Sequence, residues 1–250
     1  MINQNAEDHH PLPPSKTLAS RGLFLLPSLL TLSALFFGFY ALVCASQGLF
    51  LSASMAIIYA MVMDGLDGRV ARMTRTQTKF GAELDSLSDV ISFGVAPAFL
   101  IYQWGLQSDG RVGMVVAFVY VASVALRLAR FNSQQGGGDD FSGAPCPIPA
   151  AALASLVWFA ETHTAFLSVV QPVPLAILLL TLAILMVSSF KYPSFKTSGN
   201  PMKGSFLLVV CLLAFIACFA MEPATTLLLS AFAYLVVGPI LGLWKYFINP

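Results

Sequence analysis

Four aspartates, Asp64, Asp67, Asp85 and Asp89, occur as two pairs spaced i, i+3 and i, i+4. On helices either spacing projects both carboxylates from one face, and two such helices joined as a hairpin bring the pairs together. Four carboxylates crowded near a membrane cannot all stay ionised without a strong counter-charge. A divalent metal supplies it. An all-oxygen ligand set selects a hard cation, Mg²⁺ or Mn²⁺, and four carboxylates suit two ions about 4 Å apart, a pair that holds a pyrophosphate. Gly65, Gly68 and Gly81 remove bulk nearby, so that a helix or a nucleotide can approach the backbone. Arg72, one turn beyond Gly68, is placed to pair with a phosphate or with a carboxylate of the site. A single aspartate at a helix end is usually a cap or a loop charge, a reading that does not account for four on two adjacent faces. Glu83 points about 160° to 200° away from Asp85 on a helix of 3.6 residues per turn and is assigned to structure.

The elements that must carry these residues are read from composition. Of the 250 residues 57% are hydrophobic and 10% charged, against about a quarter charged in soluble domains. Segments such as 175–188 and 206–221 are apolar on every face, which disfavours a β-barrel with its alternating strands. The expectation is an all-α, polytopic helix bundle. With about 20 residues per span, eight transmembrane helices fall near 23–45, 48–73, 81–103, 111–133, 147–166, 172–190, 204–221 and 224–246. Both termini then share one side, and every one of the 13 lysines and arginines except Arg111 falls there too. That asymmetry puts both ends in the cytosol. Residues 1–20, polar and proline-rich, are expected to form a disordered cytosolic tail, and residues 21–250 a single membrane-embedded domain. The run after Lys16 and Arg21 is taken as a retained first helix and not a cleaved signal peptide.

Other chemistries find little support. His9 and His10 lie in the tail and His163 in a loop, so neither a histidine triad nor a zinc site is visible. Cys44, Cys146, Cys211 and Cys218 show no CxxC spacing and read as small buried side chains; Cys211 and Cys218 are about 10 Å apart on a helix, too far to bridge. A net charge of +1 argues against a nucleic-acid partner, which requires a basic patch.

The stretch from Asp64 to Asp89 resembles the full signature of the CDP-alcohol phosphotransferases, D-x2-D-G-x2-A-R-x8-G-x3-D-x3-D, at every fixed position. The resemblance implies that Asp64, Asp67 and Asp85 hold metal, that Asp89 is a further ligand and the general base, and that Gly68 and Arg72 contact the CDP moiety, with Thr78 at a position similar to one that contacts CDP in relatives. Pro27-Ser28-Leu-Leu-Thr31 resembles the family's P-N-x-x-T near the nucleotide, with Ser28 in place of the usual asparagine. A hydroxyl still hydrogen-bonds there, with fewer groups than an amide. The segments 92–97, 126–132 (LRLARFN), 141–149 (FSGAPCPIP) and 191–196 resemble the phosphatidylserine synthases of that family, which implies transfer from CDP-diacylglycerol to L-serine. Relatives form homodimers, and the same is expected here from resemblance alone.

The residues give a separate reason to expect an amino-acid acceptor. Arg127 and Arg130 sit i, i+3 at the cytosolic end of the fourth helix, with Asn132 just beyond, and a guanidinium fork suits a carboxylate. Lys196 joins this group. The same arginines are equally well read as cations meeting anionic headgroups. Gly94 and Pro97 are expected to bend the third helix. Two alternatives stay open: another acceptor, such as glycerol 3-phosphate, an inositol phosphate or choline, and a transporter. A phosphorylated acceptor requires a denser basic pocket than Arg127, Arg130 and Lys196 supply. A transporter distributes its charges through the bilayer depth, whereas these aspartates cluster near one interface.

Overall fold

The computed structural model describes residues 18–133, 143–167, 171–188 and 201–248. Nearly all of the expected tail, together with Lys191 and Lys196, lies outside them. The described residues form helices and no strand: α1 (Leu18–Ser46), α2 (Phe50–Thr74), α3 (Lys79–Asp109), α4 (Arg111–Ser133), α5 (Pro147–Thr162), the short α6 (Thr164–Leu167), α7 (Pro172–Val187), α8 (Pro201–Met221) and α9 (Pro223–Ile248). Apart from α6, these follow the expected helices to within a few residues.

Among the described residues five segments are long and apolar enough to cross a membrane, Leu25–Ser46, Phe50–Thr74, Lys79–Asp109, Arg111–Ser133 and Pro223–Ile240. The expected count of eight exceeds this by three: α5 and α7 have 16 residues each, about 24 Å at 1.5 Å per residue, short of a hydrocarbon core of about 30 Å, and the apolar stretch Val209–Met221 of α8 is also below spanning length. The outward faces are apolar: Leu29, Phe36, Phe39, Phe118, Ile177 and Ile184 are each at least 60% exposed. Inside, small residues dominate, with Ala41, Ala53, Ala56, Ala60, Ala96 and Ala152 all buried. Small side chains let helices approach in an environment where apolar burial alone gives no drive to associate.

Contacts between helices fix their directions. On α3 the hydroxyls of Ser88 and Ser92 donate to the carbonyls of Thr31 (3.2 Å) and Ala34 (3.1 Å), so α1 and α3 run the same way. Gly38 permits that approach, since a Cβ there would lie 2.6 Å from Ser92 Oγ and 2.8 Å from Ser92 Cα. Helix α4 returns beside α3: Tyr120 donates to the Phe93 carbonyl at 3.2 Å, and Asn132 meets Ser86. One end of the bundle thus gathers the start of α3 and the ends of α2 and α4.

Two links at that end are closed by backbone geometry. Arg75, with left-handed φ 55° and ψ 35°, lets its N–H reach the carbonyls of Ala71 and Arg72, while Thr76 N–H reaches Ala71; this satisfies the last carbonyls of α2. Thr78 then caps α3, its hydroxyl accepting from Gly81 N–H at 3.0 Å. Helix α3 is not uniform. It widens into π-turns at Val90–Val95 and Tyr102–Leu106 and tightens at Gln107–Asp109, and the first wide turn starts directly after Asp89. Gly94 packs against Val124, and Pro97 lies at the start of the α-helical stretch that follows.

Helix α8 packs mainly on α9. Cys211 and Cys218 on it are exposed, in contrast to Cys44 and Cys146, which are buried. The burial expected of all four thiols therefore fails for the two on α8, because a helix that is apolar all round does not reveal which faces another helix covers.

Candidate active site

Asp64 and Asp67 lie ten and seven residues before the end of α2, and Asp85 and Asp89 lie six and ten residues after the start of α3. At 1.5 Å per residue this sets two tiers about 5 Å apart. Asp67 and Asp85 form the outer tier, and Asp64 and Asp89 the inner one. Asp64, Asp67 and Asp85 each bring one carboxylate oxygen within 4.8 Å of the others, and Asp64 is also within hydrogen-bonding range of Asp89. The two pairs meet across the hairpin as their spacing predicts. Asp67 is buried and accepts the Thr31 hydroxyl at 2.6 Å, while Arg72 acts on it electrostatically. Asp85 Oδ1 is buried with no hydrogen-bond partner. A buried carboxylate oxygen left unpaired is costly, so this acceptor-only cluster suits a hard cation.

A cavity of about 500 Å³ opens on the outer tier. Its wall includes Ser28, Thr31, Asp67, Gly68, Arg72 and Thr78, with Gly81 and Asp85 alongside; every residue singled out for the CDP moiety is among them. Gly68 keeps it open: a Cβ there would meet only the tip of Arg72, at 3.7 Å, so packing does not require the glycine. Gly65 has nothing within 4 Å among the described residues, so of the two approaches expected there, by a helix or by a nucleotide, no helix makes the first. Thr78 reaches the wall as the N-cap of α3, where free N–H groups and the helix dipole favour an anion. Lys79 and Phe131 also line the cavity. Sequence reasoning passed over both, although Phe131 belongs to the LRLARFN stretch.

The residues singled out for the acceptor occupy a different place. Asn132 Nδ2 donates to Ser86 Oγ at 3.0 Å, tying α4 to α3 between the two tiers. Arg130 donates to the Val187 carbonyl at 3.3 Å, at the end of α7. Arg127 faces inward and donates through Nη1 to Cys146 Sγ at 3.1 Å, while its Nε is buried with no hydrogen-bond partner. Between the contacts Asn132–Ser86 and Tyr120–Phe93, Arg127 falls at the depth of Asp89. Cys146 lies within electrostatic range of both. Lys196 is outside the described residues. Glu83 is exposed, in keeping with its assignment to structure.

An apolar-faced helical bundle with a carboxylate cluster beside a cavity near one end is the framework of an integral membrane protein with a polar site inside it. The chain belongs to the CDP-alcohol phosphatidyltransferase family, which residues 24–244 match. It is 38% identical to the CDP-diacylglycerol–serine O-phosphatidyltransferase of Helicobacter pylori over 87% of this chain and 91% of that one. It is also 36% identical to the archaetidylserine synthase of Methanothermobacter thermautotrophicus, over 70% and 72% of the two chains. An enzyme of Methanocaldococcus jannaschii with the same name as the Helicobacter protein is 42% identical over 57% of this chain and 64% of its own.

Proposed function

We propose that this protein transfers the phosphatidyl group of CDP-diacylglycerol to the hydroxyl of L-serine, giving phosphatidylserine and CMP, at the cytosolic face of the cell (inner) membrane. The observation that carries this reading is the cavity wall on which Thr31, Gly68, Arg72 and Thr78 stand beside Asp67 and Asp85. The names of the relatives supply the serine.

In this reading Asp64, Asp67, Asp85 and Asp89 hold two divalent ions, Mg²⁺ or Mn²⁺, for which the unpaired Asp85 Oδ1 and the facing carboxylates are suited donors. Ions bound there would neutralise the pyrophosphate and stabilise the departing CMP. Arg72 and the first turn of α3 hold phosphate oxygens, and Ser28 and Thr31 line the nucleotide's side of the cavity. Asp89, in the inner tier, takes the proton of the serine hydroxyl as its oxygen bonds to the β-phosphorus; the bond from that phosphorus to the bridging oxygen breaks, and CMP leaves with that oxygen. A carboxylate near a cation is a weak base, so proton transfer accompanies attack and does not precede it. Arg127, at the depth of Asp89, holds the serine carboxylate, with Arg130 and Asn132 nearer the end of α4; Lys196 is assigned to the same carboxylate from the sequence alone. The diacylglycerol tails stay in the bilayer while the headgroup enters at the interface.

The same reading includes eight spans with both termini in the cytosol, a tail over 1–20, a domain over 21–250 and a homodimer. The decisive experiment is CMP release from CDP-diacylglycerol by the purified protein with Mg²⁺ or Mn²⁺, offering L-serine, glycerol 3-phosphate, inositol phosphate and choline separately. Turnover driven by serine alone supports the assignment. Turnover with another alcohol keeps the family and removes the acceptor.

A further inference from the structure

Cys146 stands in an unusually well-anchored piece of chain. Gly143, with φ 90°, lies so close to the Met186 carbonyl that no side chain fits. The next N–H, of Ala144, donates to the Leu185 carbonyl at 3.2 Å. Arg130 reaches the Val187 carbonyl from the other side. The final carbonyls of α7, which have no partner within their own helix, are thus taken up by the loop before α5 and by α4. Three helices are joined at one point. Cys146 follows after Pro145, at the N-cap of α5, fully buried and outside any disulfide, and its sulfur accepts from Arg127 Nη1 at 3.1 Å.

The chemistry of that contact is informative. An arginine needs its fork held if it is to meet a carboxylate along two bonds, and long side chains lose considerable rotamer freedom when fixed. A carboxylate partner at position 146 would hold the guanidinium but neutralise it. A thiol is a weak, uncharged acceptor, so it fixes one nitrogen and leaves the positive charge for another anion. The second observation is the buried Nε of the same guanidinium, a donor with no partner. Tyr234 of α9 also lies within electrostatic range of Arg127, and Tyr120 stands near Cys146; Asp89, within range of Cys146, is engaged in the carboxylate cluster.

We propose that Cys146 is a positioning residue that locks the Arg127 guanidinium so that its free donors meet the acceptor's carboxylate, and that it thereby sets the preference for an amino acid over an amino alcohol without a carboxylate. This rests on the assignment of Arg127 to the serine carboxylate. The test uses the full-length protein with saturating Mn²⁺, varying L-serine and CDP-diacylglycerol in turn, and comparing L-serine with 2-aminoethanol, which lacks the carboxylate. Cys146→Ala and the space-filling Cys146→Val are expected to raise KM for L-serine about tenfold, as for one misplaced charge-assisted hydrogen bond. KM for CDP-diacylglycerol and kcat stay within about twofold, and the preference over 2-aminoethanol falls in step. Cys146→Ser, which keeps a neutral acceptor, recovers most of the affinity. Cys146→Asp, which keeps the contact but cancels the charge, loses it. If Arg127→Gln raises KM for serine and the alanine and valine variants do not, the role of Cys146 is refuted while that of Arg127 stands. If Arg127→Gln leaves KM for serine unchanged, the carboxylate assignment itself fails. Equal losses toward both substrates in the cysteine variants would show a purely structural thiol and overturn the proposal.

Discussion

Thr31 on α1 donates its hydroxyl proton to Asp67 Oδ2 on α2 at 2.6 Å, inside the bundle. One carboxylate oxygen of the outer tier is therefore aimed by a helix that carries none of the aspartates. Hydrogen bonds to charged groups contribute about 1.5–3 kcal/mol, so Thr31→Val is expected to lower kcat/KM by at least about tenfold. It should also raise the metal concentration needed for half-maximal activity, and Thr31→Ser should restore both. A metal titration of the three proteins checks this; an unchanged midpoint in the valine variant means that Asp67 is held without its partner.

Asp89→Asn keeps the shape of the inner tier and removes the proton acceptor. General-base contributions are about 10²- to 10⁴-fold, and a loss of that order in kcat is expected. Wild-type turnover in this variant would discard Asp89 as base and as ligand.

Gly68→Leu fills the cavity beside Arg72 without meeting the helix packing, because a Cβ there touches only the arginine tip. KM for CDP-diacylglycerol should rise by about tenfold or more, and the thermal midpoint should stay put. Comparable effects on both substrates would count against this wall as the nucleotide side.

Gly38 tests the scaffold. Its alanine variant sets a methyl 2.8 Å from Ser92 Cα, a backbone atom that cannot turn aside, and overpacking of this kind costs about 1–3 kcal/mol. Both the thermal midpoint in detergent and kcat should fall, since α3 carries Asp85 and Asp89 and must move off α1. Normal stability and activity together would show that the two helices tolerate separation.

Removing divalent ions with a chelator should abolish CMP release, and Mg²⁺ or Mn²⁺ should restore it. Asp85→Asn should require more metal for the same recovery. Full activity after exhaustive chelation would exclude the role given to the four carboxylates.

Much of this site could be read from spacing, for a physical reason. The intervals Asp64–Asp67 and Asp85–Asp89 are one helical turn each, so their faces follow from local geometry, and a short link between two helices leaves few ways for the faces to miss one another. The helix boundaries were legible because apolar runs set them. Depth was partly legible: counting residues from the ends of α2 and α3 gives the tiers, but only contact between the helices reveals which carboxylates share a level. The role of Cys146 was hidden, because it depends on α4, α5 and α7 meeting at one point, and in the sequence the thiol stands among apolar and proline residues like any small core side chain. The wide turn after Asp89 also left no signal, since residues 90–95 (VISFGV) read as one more mostly apolar stretch of a spanning helix.

Arg75 has a left-handed backbone, φ 55° and ψ 35°; the other positive φ angles belong to Gly48, Gly110 and Gly143, so among the described residues it is the sole non-glycine with positive φ. An L-residue held there gives up on the order of 1–2 kcal/mol. The connection directly beneath the carboxylate hairpin is therefore a place where selection for heat tolerance alone would favour Arg75→Gly. That exchange would relax the backbone and strip a cation from the rim. An arginine at this position records a compromise between the comfort of the chain and the charge of the surface it faces.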